Sequence, residues 1–376
     1  MRSSWKLARI AGIDVYVHAT FVMLLAWVAY MHWRAGGTAG AALAGVVFVV
    51  AVFGTIVLHE LGHALTARRF GIRTRDITLW PIGGVARLER MPEKPGQELL
   101  VAVAGPAVNL AIALALGVAI FVMGSPLFPE GLLGGGLGAL LTRLLWVNVT
   151  IAVFNLLPAF PMDGGRALRA LLALRGDYVN ATRIAAGIGQ AFALLFGLLG
   201  LFANPLLIFI ALFLWMGAAA ESGAAQTKGA LAGVPVHAAM QTHFRAMTAA
   251  ESLADAAREL LSGSQTEFPV LDDEGRVVGV VTRPALIEGL TALGPEGSLA
   301  RVMVRRFAVA DPYEPLDRVL SRMEEAACSL APVVQGERLV GLVTRENIME
   351  LLLVRDAMRA QHTQMLPLED ADPRAA

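Results

Sequence analysis

Gly45-Val46-Val47-Phe48-Val49-Val50-Ala51-Val52-Phe53-Gly54-Thr55-Ile56-Val57-Leu58-His59-Glu60-Leu61-Gly62-His63 is the stretch on which the reading of this chain turns. Its apolar part begins at Gly40 and carries no charge up to Leu58, about the length a helix needs to cross a hydrocarbon core. The run then passes directly into two histidines and a glutamate that fit H-E-x-x-H. Residues four apart on a helix differ by about 40° in azimuth, so both imidazoles face the same way and can share one tetrahedral zinc. Glu60 lies on an adjoining face, where it can act as general base toward a water at the metal and then as proton donor to a leaving amine. Ionisable groups in or beside an apolar run are expensive to bury and are functional by default. The bland alternative is an interfacial pair of histidines capping a span.

Working outward, the 376 residues are 56% hydrophobic and 16% charged, with a mean hydropathy of +0.60. An ordinary cytosolic enzyme is thereby disfavoured. The 31 basic and 31 acidic residues balance, and without a basic bias no nucleic-acid partner is expected. The single cysteine, Cys328, rules out an internal disulfide and thiolate-rich metal sites, so any metal must rest on His and carboxylate. The global balance hides a local asymmetry: 16 basic and 10 acidic residues lie up to Thr227, and 15 and 21 beyond it, so the two parts carry +6 and −6. The first part holds nearly all the long apolar runs, which predicts a membrane domain followed by a soluble one.

Six charge-poor segments predict about six transmembrane helices: Phe21 to His32, Gly40 to Leu58, Leu99 to Met123, Leu144 to Phe160, Ile184 to Phe202 and Pro205 to Ala220. The first and fourth are the weakest, and five or seven spans are the alternatives. Met1 to Phe21 contains Asp14 and His18 and does not read as a cleavable signal. Arginines and lysines gather before the first span, between the second and third, and between the fourth and fifth. By the positive-inside rule those segments are cytoplasmic, and an even number of spans returns both termini to the cytoplasm. The expected location is a multi-pass position in the cell (plasma or inner) membrane.

Zinc needs a third protein ligand, with a fourth position left for water. The candidate is Asp163, the only acidic residue between Glu130 and Asp177, at the cytoplasmic end of the fourth span. Pro158 and Pro161 break the helix there, and broken helix at membrane depth is tolerated only against protein or a wet cavity. The alternative makes Asp163 the N-cap of a helix starting near Gly164, paired with Arg166. Between the second and third spans, Ile77 to Leu88 is too short and turn-rich to cross. It reads either as a re-entrant strand pair beside Ile13 to Val17, able to hold an extended substrate at its edge, or as a surface hairpin with Trp80 at the headgroups. Gly105 and Asn109 on the third span read as helix packing and an interhelical hydrogen bond.

From about His237 the chain repeats at an offset of 63 residues: Met240 and Phe244 are answered by Met303 and Phe307. Phe268-Pro269-Val270-Leu271 and Val277 to Arg283 match Ala331-Pro332-Val333-Val334 and Leu339 to Arg345, each copy reading helix, strand, turn, strand, helix. This resembles a tandem pair of cystathionine-β-synthase (CBS) domains, with repeats at about 237–293 and 298–358. Such pairs bind adenine nucleotides with a Thr or Ser and an Asp three residues later. Here the partners of Thr282 and Thr344 are Ala285 and Asn347. The second cleft, with Thr344 and Asn347, is therefore the candidate for ATP, ADP or AMP, and a purely structural or dimerising role is the alternative.

His59 to His63, the stretch Asn155-Leu156-Leu157-Pro158-Ala159-Phe160-Pro161-Met162-Asp163-Gly164-Gly165-Arg166, and Gly105-Pro106-Ala107-Val108-Asn109 between them together resemble the site-2 protease family of intramembrane zinc metalloproteases. The likeness covers roughly Ser4 to Ala220. It implies that His59, His63 and Asp163 ligate Zn2+, that Glu60 is the catalytic acid/base, and that Asn155 holds the substrate backbone or polarises its carbonyl; a plain interhelical hydrogen bond is the alternative for Asn155. The implied activity is hydrolysis of peptide bonds in or near transmembrane segments, as in regulated intramembrane proteolysis. The implied substrates are single-span membrane proteins such as regulators of the anti-sigma factor type. The expected division is 1–227 membrane metalloprotease, 228–236 linker, 237–360 CBS pair and 361–376 disordered tail, with a homodimer through the CBS domains a further possibility. The rival reading is a CBS-gated membrane transporter or channel, for which paired inverted repeats would speak, and none is evident.

Overall fold

The computed structural model describes residues 4–81, 83–92, 94–128 and 136–364, and the chain divides into two compact units, Met1–Ala225 and Gln226–Ala376. The first begins with a hairpin, β1 (Ser4–Ile10) and β2 (Ile13–His18), closed at Ala11 and Gly12, which both hold positive φ. That conformation matches the turn to the twist of the strands it joins. Next come α1 (Ala19–Gly36) and α2 (Ala39–Arg69), then β3 (Thr74–Trp80) and β4 (Gly83–Leu88). The strands form one sheet in the order β1-β2-β3-β4, with β2 parallel to β3 and the other pairs antiparallel. The parallel pair is possible because α1 and α2 supply the long crossover it needs. Ile13, Val15, Ile77 and Leu79 point to one face and pack with Phe21, Phe53, Val57, Leu61 and Ala64, so the sheet lies against α2 beside the H-E-x-x-H turn. At the far end of the strands His18 caps α1 by accepting from Thr20 N and stacks on Trp80, ring centroids 4.0 Å apart.

The unit continues with α3 (Pro95–Val122), α4 (Leu137–Asn155), α5 (Asp163–Ala173), α6 (Tyr178–Phe202) and α7 (Leu206–Leu231). Among the described residues five helices, α2, α3, α4, α6 and α7, are long and apolar enough to cross a membrane. The sixth expected span, α1, has 18 residues and packs on α2, but Trp27, Tyr30, His32, Trp33 and Arg34 make it less apolar than the others. Large apolar side chains such as Phe121, Val122, Leu201 and Phe202 lie exposed, which suits lipid and not water. The fourth expected span shifts toward the N-terminus: α4 stops at Asn155, a turn follows, and Asp163 opens α5.

The second unit contains β5 (Met247–Thr248), α8 (Leu253–Ser262), β6 (Phe268–Leu271), β7 (Val277–Val281) and α9 (Arg283–Leu293). The second copy is α10 (Leu316–Ala326), β8 (Leu330–Gln335), β9 (Arg338–Thr344) and α11 (Arg345–Gln364). Each copy is a β-hairpin whose turn holds a glycine at positive φ, Gly275 or Gly336, with helices before and after. Each has its own core, one around Phe268 and Leu286 and one around Leu316 and Val333, and Val280, Leu330 and Leu342 join the copies. At α8, Ser252 and Asp255 form a reciprocal cap, and the Ser252 hydroxyl holds the Asp255 carboxyl below the usual carboxylate range. Residues 228–231, expected in a linker, still belong to α7, and 361–364, expected in a disordered tail, belong to α11. The rest of the expected tail, 365–376, lies outside the described residues.

Candidate metal centre

His59 and His63 project from one face of α2, as their spacing requires, and both are buried. Their Nε2 atoms lie 3.1 Å apart. Asp163, the first residue of α5, brings Oδ2 to 3.2 Å from His59 Nε2 and 3.1 Å from His63 Nε2. The three atoms therefore form a nearly equilateral triangle. A tetrahedral ion with bonds of about 2.0–2.1 Å has ligand-to-ligand edges of about 3.3 Å, so this triangle has the size of one tetrahedral face. Two imidazoles and a carboxylate, with room for a water, form a donor set suited to zinc. The N-cap alternative for Asp163 does not hold: the cap position is Met162, with no side-chain cap bond, and the Asp163 carboxylate faces the histidines. Arg166, its expected partner, lies 4.0 Å from Glu221 instead.

The outer nitrogens of both rings are tied to α3. His63 Nδ1 donates to the carbonyl of Val101 at 2.7 Å, and His59 Nδ1 to Asn109 Oδ1 at 2.5 Å. Asn109 Nδ2 donates in turn to Asn148 Oδ1 at 2.8 Å, and Asn148 Nδ2 to the carbonyl of Leu144 at 2.8 Å. With each Nδ1 acting as donor, each Nε2 keeps its lone pair for the centre of the triangle. Asn109 and Asn148 are fully buried, and both amide atoms of each have a partner along this relay of hydrogen bonds, as burial demands. From the sequence Asn109 reads as a residue of helix packing and an interhelical hydrogen bond, without its partners, and Asn148 attracts no role. The signal that could have found both is the rule that a polar side chain inside an apolar span has a purpose.

Glycines let the backbones come this close. A Cβ on Gly105 would stand 2.2 Å from His63 Nε2 and 2.7 Å from His59 Cε1, and one on Gly62 would stand 2.9 Å from the carbonyl oxygen of Ala104. The turn before Asp163 is packed the same way: a Cβ on Gly164 would meet the Leu157 carbonyl oxygen at 2.2 Å, and one on Gly217 would meet Pro161 Cδ at 2.5 Å. Glu60, the neighbour of His59 on α2, is tied to the sheet, where its Oε2 accepts from Ala86 N of β4 at 3.1 Å. β4 is an edge strand. Asn155, at the end of α4, is half-buried, and its side chain makes no hydrogen bond to a described residue.

In the second unit Thr344 and Asn347 do come together, as a cap for α11. Thr344 N and Oγ1 donate to Asn347 Oδ1 at 3.2 and 2.8 Å, and Asn347 N donates to Thr344 Oγ1 at 3.2 Å. In the first copy Thr282 caps Ala285 N.

The family models agree with this division of chemistry. The model described as peptidase family M50 matches residues 47–135 and 131–196, and the CBS domain model matches 236–291 and 299–354. A zinc metalloprotease of Methanocaldococcus jannaschii is 30% identical over 357 residues, covering 94% of this chain and 97% of that one. Rip3 of Mycobacterium tuberculosis is 31% identical over 399 residues, covering 99% and 98%. A solved structure, the site-2 protease from Methanocaldococcus jannaschii, is 37% identical over 58% of this chain and 95% of that one, with a TM-score of 0.43. With relatives matched from end to end and a triangle of donors inside the matched region, the chain belongs to peptidase family M50, the site-2 protease family of zinc metalloproteases.

Proposed function

We propose that this membrane metalloprotease holds zinc through His59, His63 and Asp163 and uses Glu60 to move the proton of the reaction. The observation that carries this reading is the triangle of Nε2, Nε2 and Oδ2 atoms, with edges of 3.1 to 3.2 Å. Zinc bound there would supply Lewis acidity toward a peptide carbonyl and a water. The chain's own residues do the rest. Asn109 and the Val101 carbonyl keep both imidazoles in the tautomer that leaves Nε2 free. Glu60 takes a proton from the attacking water and returns it to the leaving amine. Asn155, whose amide is uncommitted, holds the substrate backbone or polarises its carbonyl. The substrate strand pairs with the edge of β4, which a helical segment can reach only after unwinding. Membership of a protease family leaves the CBS-gated transporter without support.

The substrates are single-span membrane proteins, regulators of the anti-sigma factor type among them, cut as a step of regulated intramembrane proteolysis. The arginine-rich segments around Arg68 and Arg175 support cytoplasmic termini and a cytoplasmic CBS pair. We keep 1–227 for the protease and 237–360 for the CBS pair, with 228–236 as the connection, whose first four residues continue α7. That pair regulates the protease through an adenine nucleotide at Thr344 and Asn347, or by dimerising. The test is Glu60→Gln in the full chain, measured for zinc content and for cleavage of a transmembrane reporter. Cleavage should fall by about 10²–10⁴-fold with zinc retained. Cleavage at the wild-type rate would overturn the role of Glu60.

A further inference from the structure

The arginines between the fourth and fifth expected spans read from the sequence as a cytoplasmic cluster, yet Arg169, on α5, is only 3% exposed. Its Nε and Nη2 both donate to Glu98 Oε1 of α3, at 2.8 and 2.5 Å, and its Nη1 donates to Glu221 Oε2 of α7 at 2.8 Å. The rings of Phe160 and Tyr178 each lie 5.1 Å from its Cζ. One guanidinium thus joins α5 to α3, to α7, to the start of α6 and to the turn that precedes Asp163. A planar fork with fixed donor directions makes such a joint specific in angle as well as in distance, which an ammonium group does not.

The placement of this joint bears on the metal ligands. His59 and His63 belong to α2, and both are oriented by α3, through Val101 and Asn109. Asp163 is the one ligand on another element. Its helix, α5, packs on α3 and α6, so its position relative to α2 is set through α3. Glu98 stands three residues, one helical turn, before Val101. The ion pair therefore fastens α5 to the same stretch of α3 that orients His63. Glu98 Oε2 has no hydrogen-bond partner among the described residues, and Arg169 is the cation that meets Glu98 within hydrogen-bond reach. Loss of that cation would leave a buried carboxylate uncompensated.

We propose that Arg169 is a positioning residue that sets Asp163 against the two histidines by locking α5 to α3 at Glu98 and to α7 at Glu221. This rests on the reading of Asp163 as a zinc ligand. Arg169 touches neither substrate nor ligand atoms and acts through the helix that carries Asp163.

The experiment compares wild type, Arg169→Lys, Glu221→Gln and Asp163→Asn as full-length protein in detergent. Zinc release to a chelator, thermal unfolding, and kcat and KM for a transmembrane reporter are measured for each. Arg169→Lys keeps the charge and loses the fork. Its zinc should leave at least about 10-fold faster while the protein is folded, with kcat reduced and KM within about twofold of wild type. Glu221→Gln should show the same sign at smaller size, and it decides the matter if Arg169→Lys does not fold. A purely structural joint would lower the unfolding temperature and leave zinc release from the folded protein within about twofold of wild type; that result overturns the inference. Asp163→Asn separates the two levels. If it releases zinc at the wild-type rate, the ligand reading itself fails. If it loses zinc while Arg169→Lys and Glu221→Gln do not, only the positioning role fails.

Discussion

The two units bury very different things. Among the described residues, twelve polar or charged side chains are buried in the membrane unit and two, Glu267 and Asn347, in the CBS unit. The CBS unit, with its two small apolar cores, places apolar side chains inside and leaves most charged ones exposed. In lipid the few polar and charged side chains that occur must face the protein interior and be paired there, and such groups are functional by default. The excess in the membrane unit therefore marks chemistry. It is also organised: His59, Asn109, Asn148 and the Leu144 carbonyl form one chain of hydrogen bonds, and Glu98, Arg169 and Glu221 form one set of ion pairs. If that organisation serves the metal, disturbing it should cost zinc and cleavage, whereas disturbing the two buried polar side chains of the CBS unit should cost only stability.

The largest effect is expected from a single methyl group. In Gly105→Ala the new Cβ would stand 2.2 Å from His63 Nε2 and 2.7 Å from His59 Cε1, and neither ring can retreat without giving up its Nδ1 bond to α3. Alanine is a better helix former than glycine, so the helix itself should survive. The purified variant should keep its helical circular dichroism, hold no zinc after dialysis and cleave a reporter at background. Full zinc content with unchanged cleavage would show that α3 does not press on the histidines in this way.

Asn109→Ala should act in the same direction and less severely. It removes the acceptor that fixes the His59 tautomer and leaves Asn148 Oδ1 without its donor. Losses of outer partners to metal-bound histidines are typically about 10–100-fold in affinity or activity. Zinc affinity by competition with a chelator, measured beside reporter cleavage, should show both falling by such a factor. A fall in thermal stability with zinc affinity unchanged would reduce Asn109 to the interhelical packing role that the sequence suggests for it.

What could be read before the structure follows the range of the interactions. His59 and His63 lie four residues apart on one helix, so local spacing shows that they share a face. Asp163 could be singled out because it stands alone among apolar residues beside two prolines. The CBS copies were legible because the chain repeats itself. Asn109 and Asn148 were harder: His59 is 50 residues from Asn109, and Asn109 is 39 from Asn148, so nothing local says which partner each will meet across a helix interface. Arg169 misled for the same reason. An arginine near a span end counts toward orientation, and a pairing with Glu98, 71 residues away, leaves no trace in the charge pattern. The end of α4 was misplaced because apolarity continues through Leu156, Leu157, Ala159 and Phe160, where the backbone has already turned.

The smallest effect should come from the CBS unit, where the comparison can be sharpened from the other side. Asn347 is one of the two buried polar residues among those described there, and its Oδ1 accepts from both Thr344 N and Thr344 Oγ1. That is the geometry of a helix cap, and Ser252 with Asp255 repeats it at α8. Replacing a capping side chain with alanine typically removes about 1 kcal/mol. For a unit of this size that corresponds to a fall of about 2–4 °C in its unfolding temperature. Asn347→Ala should therefore lower the CBS transition by that amount in calorimetry and leave reporter cleavage and zinc content unchanged in the absence of nucleotide. If the second cleft also grips an adenine nucleotide, millimolar ATP, ADP or AMP should give binding heat with the wild-type chain and little with the variant. To reach a ribose, the Asn347 amide would have to use its nitrogen, because its oxygen is already committed to Thr344. The nucleotide would then bind onto the intact cap, and binding should raise the CBS transition of the wild-type chain. No heat with any of the three nucleotides would leave Asn347 as a cap alone and the CBS pair with a structural or dimerising role.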